Sequence, residues 1–155
     1  MQRGFYIALD SVSKTLTPET VISSARAEAR LCRYEHELQT ALRRQLDLVE
    51  LGLIEADGGH ERSVATGKID IVARDKAGNF VVIELKIGLC PSGALEQVLA
   101  YSNDLEVETG TPCRSVLVAG QFSQRIRAAA LRVRNISLIT YELALGLEQE
   151  LPLLR

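Results

Sequence analysis

Phe80-Val81-Val82-Ile83-Glu84-Leu85-Lys86 decides the reading of this chain. Four apolar residues in a row, all of them β-branched or aromatic, favour a strand. Both alternating faces are apolar up to Glu84. A strand greasy on both faces is a central one with helices covering it on each side. Glu84 and Lys86 then close that strand, two residues apart and so on the same face. Upstream, Ile69-Asp70-Ile71-Val72-Ala73 is a second β-branched run, with Asp70 inside it. The connection Asp75-Lys76-Ala77-Gly78-Asn79 is a hairpin, with Gly78 available for a positive φ. Folding that hairpin brings Asp70 beside Glu84, so two carboxylates and one ammonium converge.

Working outward, Arg62-Ser63-Val64-Ala65-Thr66 reads as a further strand. Thr17-Pro18-Glu19 has the pattern of a helix start, with Thr17 as N-cap and Pro18 at the first helical position. The Ala-, Leu-, Arg- and Glu-rich stretch from there to about Leu48 is one long helix or two consecutive ones, ended by Gly52. After Pro91 come a helix through Ala94, Leu95, Val98, Leu99, Ser102 and Leu105, and a buried strand over 114–119. An amphipathic helix through Phe122, Ile126, Ala129, Ala130 and Val133 follows, then a last strand over 136–141. The order is α, β-β-β, α, β, α, β: an α/β domain with a mixed sheet flanked by helices on both faces.

The 155 residues suit one self-sufficient core. With 46% apolar and 25% charged residues, the chain is neither a disordered charged tail nor a low-complexity segment. No apolar run is long enough to span a membrane, and the apolar core of the first ten residues is too short for a secretory signal. Three cysteines, Cys32, Cys90 and Cys113, form no metal-like cluster, and their odd count opposes a disulfide framework. A reduced, cytoplasmic protein is expected. The formal charge of −2 excludes nucleic-acid binding by bulk charge, so any such role needs a local patch. Arginines supply candidates: Arg26, Arg30, Arg33, Arg43 and Arg44 on the early helix, and Arg125, Arg127, Arg132 and Arg134 late in the chain. Either set is a solvated face or a phosphate-binding one.

A carboxylate inside apolar strand sequence is costly unless a cation or donors satisfy it. The Asp70, Glu84 and Lys86 group therefore has two readings: a structural ion-pair cluster, or a site for phosphodiester hydrolysis. In the second, two carboxylates hold a hard divalent cation such as Mg²⁺, with Mn²⁺ as substitute, and the lysine supplies a point charge. Gly67 stands three residues before Asp70, and Gln97 and Tyr101 lie one turn apart on one helix face. His36 and His60 have no partner at metal spacing, and Cys90, four residues past Lys86, reads as an inert thiol.

Gly67-Lys68-Ile69-Asp70, Val82-Ile83-Glu84-Leu85-Lys86 and Gln97-Val98-Leu99-Ala100-Tyr101 together resemble the PD-(D/E)xK, restriction-endonuclease-like nucleases in their RecB-like form. More narrowly, the chain is similar to the catalytic domain of the NucS/EndoMS endonucleases from about Tyr34 to Leu143. That stretch includes Glu37-Leu38 and Leu48-Val49-Glu50-Leu51-Gly52-Leu53. The resemblance implies a Mg²⁺-dependent DNA endonuclease, with Asp70 and Glu84 as metal ligands, Lys86 as catalytic lysine and Glu37 as the first acid near the metal. Gln97 and Tyr101 would support the site or touch the phosphate backbone, and Arg43, Arg44, Arg125 and Arg127 would meet DNA. It also implies a nuclease-like domain over 34–155 behind an N-terminal extension over 1–33, partly helical, and a homodimer that pairs two sites. The family's β-rich DNA-binding domain and clamp-binding tail have no counterpart in this sequence, Ile87-Gly88 stands where basic residues usually follow the lysine, and there is no Trp. A non-catalytic nucleic-acid-binding or assembly module retaining the fold is the alternative.

Overall fold

The computed structural model describes residues 5–8 and 24–144. In chain order these form β1 (Phe5–Ala8), α1 (Ser24–Arg43), a 3-10 turn (Leu46–Leu48), β2 (Ile54–Glu55), β3 (Arg62–Val64) and β4 (Gly67–Ile69). There follow β5 (Ile71–Arg74), β6 (Phe80–Leu89), α2 (Ala94–Thr109), β7 (Cys113–Gln121), α3 (Gln124–Ala130) and β8 (Ile136–Ala144). The helix start expected at Thr17-Pro18-Glu19, and the side chain of Arg26, lie outside what is described.

Six strands make the main sheet in the order β1-β8-β7-β6-β5-β2. The apolar strand is interior as its sequence requires: β6 pairs antiparallel with β5 and parallel with β7, and Phe80 to Leu85 are all buried. The sheet is mixed and helices cover both faces. On one face Leu38, Leu42 and Leu46 pack against Ile71, Val81, Ile83, Leu85, Val116 and Val118. On the other, Ala94, Val98, Leu105 and Ile126 of α2 and α3 pack against Val72, Phe80, Val82 and Leu117. Leu42 is fully excluded from solvent, and burying such a side chain contributes about 1.5–3 kcal/mol.

Local sequence explains the elements around the site. The Asp75–Asn79 connection closes as expected: Asp75 Oδ1 accepts the Ala77 and Asn79 N–H groups at 2.9 and 3.0 Å, and Gly78 takes φ +84°. Ser123 caps α3 by accepting the Ile126 N–H. A buried hydroxyl pair, Ser115 Oγ donating to Ser102 Oγ at 2.8 Å, pins α2 against β7.

Three expectations change and two strands are added. The strand expected over 69–73 breaks at Asp70, leaving β4 and β5 in different sheets. The strand expected over 62–66 is shorter and pairs only with β4, as a separate two-stranded ribbon. The late helix stops at Ala130, with no helical residue at Val133. Finally, two strands carried no usable pattern: β2, two residues long, and β1, which lies parallel on the outer edge of β8.

Candidate functional site

The hairpin register sets Ile71 opposite Ile83, which leaves Asp70 at the level of Glu84. Asp70 Oδ2 accepts the Leu85 N–H at 2.8 Å. Glu84 Oε1 accepts from Lys86 Nζ at 2.9 Å, as alternation along the strand requires. The sequence-derived trio therefore does converge. The strand bulges directly after it, the pairing of β6 with β7 shifting between Lys86 and Leu89; bulges recur beside functional sites because they re-aim side chains.

Glu84 is 2% exposed, yet its Oε2 has no hydrogen-bond partner. An unpaired buried carboxylate oxygen is strongly unfavourable. Burial, and then the charge of Asp70, push the Glu84 carboxyl up to about 7. Burial likewise raises Asp70 to about 6, against the Leu85 N–H and Lys86, with Glu35 and Glu61 adding to the rise. Burial disfavours charge on Lys86, but Glu84 and Asp70 outweigh it and hold the ammonium above its usual value. Among the described residues no group of three His, Cys, Asp or Glu is gathered closely enough to hold a metal unaided. The donor set is two carboxylates with one oxygen orphaned. That set fits a hard cation that keeps most of its waters, as Mg²⁺ does.

The supporting residues divide. Tyr101 and Gln97 meet on α2, Gln97 Nε2 donating to Tyr101 Oη at 2.8 Å. The tyrosine ring lies against Gly67: a Cβ there would stand 2.6 Å from Tyr101 Oη and 2.8 Å from Cε1. Gly67 is thus a close-approach position between β4 and α2. Glu37, the acid expected near the metal, instead bonds Arg33 at 3.1 Å. The α1 acid whose charge reaches both Asp70 and Lys86 is Glu35. It shares a helix flank with Gln39 and Arg43, whose side chains both donate to the Asp70 carbonyl.

Arg43, expected at a nucleic-acid surface, is drawn inward and pairs with Asp57 at 2.6 Å and Glu55 at 3.2 Å. Arg44, Arg125 and Arg127 are exposed. The first directly follows α1 and the others lie on α3, helices that cover opposite sheet faces. His36 and His60 line an open cleft of about 410 Å³ with Gln39, Arg43, Glu61 and Lys68. Cys90 is buried, and burial pushes its thiol up, which keeps it a poor nucleophile. Sequence reasoning missed Glu35, Gln39 and Asp57. The i, i+4, i+8 polar stripe Glu35-Gln39-Arg43 beside Leu38 and Leu42 was the available signal.

Among the described residues no helix is long and apolar enough to cross a membrane. The chain is 39% identical over 59 residues to endonuclease NucS of Thermococcus kodakarensis, covering 38% of this chain and 23% of that protein. It is 31% identical over 97 residues to endonuclease NucS of Methanopyrus kandleri, covering 63% and 36%. Among solved structures it is similar to a repair endonuclease from Pyrococcus abyssi, with TM-score 0.62 and 24% identity over 68% of this chain and 46% of that one. It is also similar to EndoMS in a complex with double-stranded DNA, with TM-score 0.51 and 20% identity over 88% and 51%. Those two likenesses establish the fold. The chain spans no more than 36% of the length of the two NucS relatives. Residues 34–148 match the family of the endonuclease NucS C-terminal domain, and the chain belongs to that family.

Proposed function

We propose that this chain is a Mg²⁺-dependent DNA endonuclease module with an active site of the PD-(D/E)xK kind, built from Asp70, Glu84 and Lys86. The observation that carries the reading is the buried, unpartnered Glu84 Oε2 beside a second carboxylate and an ammonium. A structural ion-pair cluster has no use for an orphaned oxygen. A cation site does. The DNA substrate is inferred from family membership and from the duplex-bound EndoMS relative.

Asp70 and Glu84 would hold Mg²⁺ or Mn²⁺, with Glu35 rather than Glu37 as the acid close by. Bound there, the ion supplies Lewis-acid stabilisation of phosphate charge and a more acidic water. The Leu85 N–H keeps Asp70 Oδ2 in place, so the ligand does not rotate away. Lys86 stays protonated between the two acids and offers its N–H groups to a phosphate oxygen or to the attacking water. Gln97 and Tyr101 brace β4, and so the approach to Asp70, through the ring packed on Gly67. Exposed Arg44, Arg125 and Arg127 would contribute phosphate contacts, and cleavage of both strands would draw on two copies of the chain.

The test is cleavage of a labelled duplex and of a supercoiled plasmid by the purified chain, with Mg²⁺, Mn²⁺ or EDTA, wild type beside Asp70→Asn. Metal-dependent cutting that the variant lacks supports the reading. Duplex binding with no cutting under any metal would favour the non-catalytic module instead.

A further inference from the structure

Asp70 stands in the break between β4 and β5, outside both strand ladders. Its main-chain carbonyl is nevertheless fully engaged. Two side chains one turn apart on α1 take both of its lone pairs: Gln39 Nε2 donates at 2.5 Å and Arg43 Nη2 at 2.6 Å. Arg43 is itself aimed by Asp57, whose Oδ1 accepts from Nη1 at 2.6 Å and from the Gly59 N–H at 3.1 Å. The other oxygen of Asp57 accepts the Val72 N–H at 2.7 Å. The Asp57 side chain is fully buried and that of Arg43 is 11% exposed. One fork thus grips the main chain on both sides of Ile71.

A buried Arg–Asp pair is weak evidence for added stability, because well-packed apolar residues often serve as well. What the fork delivers is geometry. With the Asp70 carbonyl and the Val72 N–H fixed, the Asp70 carboxylate has only its own two side-chain torsions left. The Leu85 N–H then selects one arrangement at 2.8 Å. We propose that Arg43, oriented by Asp57 and assisted by Gln39, is a positioning residue that fixes the Asp70 carboxylate for metal binding. This rests on the reading of Asp70 as a metal ligand. It assigns Arg43 a task that a phosphate contact does not describe. Lysine cannot replace it, since a single ammonium does not span Asp57 and the Asp70 carbonyl with a planar fork.

The experiment measures Mn²⁺ affinity by calorimetry and amide hydrogen exchange at Leu85 in the metal-free chain. It compares wild type, Arg43→Lys, Gln39→Ala and, as a control for plain destabilisation, Leu105→Ala in the opposite core. Outer-shell partners of metal ligands are typically worth roughly 10- to 100-fold in affinity. Arg43→Lys should weaken Mn²⁺ binding by about that factor and lower protection of the Leu85 amide beyond the global change. Gln39→Ala, which keeps the ion pair, should do the same to a smaller degree and covers the case in which Arg43→Lys folds poorly. Leu105→Ala should lose stability and keep its affinity. Wild-type affinity and unchanged Leu85 protection in both Arg43→Lys and Gln39→Ala would overturn the positioning role alone. A wild-type chain that binds no Mn²⁺ would overturn the metal site and this inference together.

Discussion

Glu84→Gln should make the metal-free protein more stable, and only where the carboxyl would otherwise be charged. Burial and Asp70 hold Glu84 at about 7 against its ordinary 4.5. The folded state therefore binds this proton more tightly than the unfolded state does. A carboxyl raised in this way takes stability from the fold as the pH climbs above its unfolded value, and the loss is complete above the folded one. That displacement corresponds to about 3 kcal/mol at 1.36 kcal/mol per pH unit. Glutamine keeps the side-chain volume, removes the charge that Asp70 opposes, and still offers a carbonyl oxygen to Lys86. Allowing for a weaker bond to the ammonium, the net gain is about 2 kcal/mol near pH 8, or roughly 4–8 °C in melting temperature for a domain of this size. The assay is thermal and urea unfolding of wild type and variant in EDTA at about pH 5 and about pH 8. The gap should be present at the higher pH and nearly closed at the lower. Equal or lower stability of Glu84→Gln at about pH 8, or a gap independent of pH, would refute the claim that an uncompensated charge is buried here.

Three other outcomes are expected. Mn²⁺ affinity should rise with pH through the range set by Asp70 at about 6 and Glu84 at about 7, because binding displaces their protons; calorimetry in buffers of different ionisation enthalpy reads those protons, and a flat affinity contradicts the assignment. Lys86→Ala should retain metal binding while slowing single-turnover cleavage by about 10²–10³-fold, the scale for losing one well-placed electrostatic stabiliser; cleavage at the wild-type rate would remove Lys86 from the chemistry. Gly67→Ala should destabilise by about 1–3 kcal/mol through overpacking against the Tyr101 ring. In a double-mutant cycle with Tyr101→Ala much of that loss should disappear, and strict additivity would show that the two do not press on each other.

Legibility in the sequence followed the range of the interactions involved. Strand β6, its hairpin and the Asp70–Glu84 level were readable because period-two alternation and turn chemistry act within a few residues. Helix α2 and its Gln97–Tyr101 pair were readable for the same reason at period 3.6. The choice between Glu35 and Glu37 was not. Both flank the apolar stripe of Leu38 and Leu42, and only the way α1 lies across the sheet puts one flank over Asp70. The break at Asp70 was hidden too, because Ile69 and Ile71 are both fully buried and the run looks continuous. What interrupts it is a change of partner, from β3 to β6, which leaves no mark on local composition. Asp57-Gly58-Gly59 reads as an ordinary turn, and does make one. Its second duty toward Arg43 and Val72 depends on residues 14 and 15 positions away.

The ribbon of β3 and β4 carries a consequence for heat. It has three residues in each strand and no pairing with the main sheet. Hairpins of this kind are at best marginal alone, so its persistence depends on docking to α2. Thr66 donates to Asp104 Oδ2 through its N–H and hydroxyl at 2.8 and 2.7 Å, and Arg62 meets Glu108 at 2.9 Å. Exposed contacts of this type are individually worth little, so the hold rests mainly on Ile69, fully buried against α2, and on the Tyr101 ring packed on Gly67. Detachment of the ribbon is therefore a sub-global opening that needs less free energy than unfolding the two cores. Asp70 follows Ile69 directly, so each such opening frees one side of the site while the sheet stays intact. On warming, reversible inactivation should set in below the melting transition, and its onset marks the stability of the ribbon, not that of the domain.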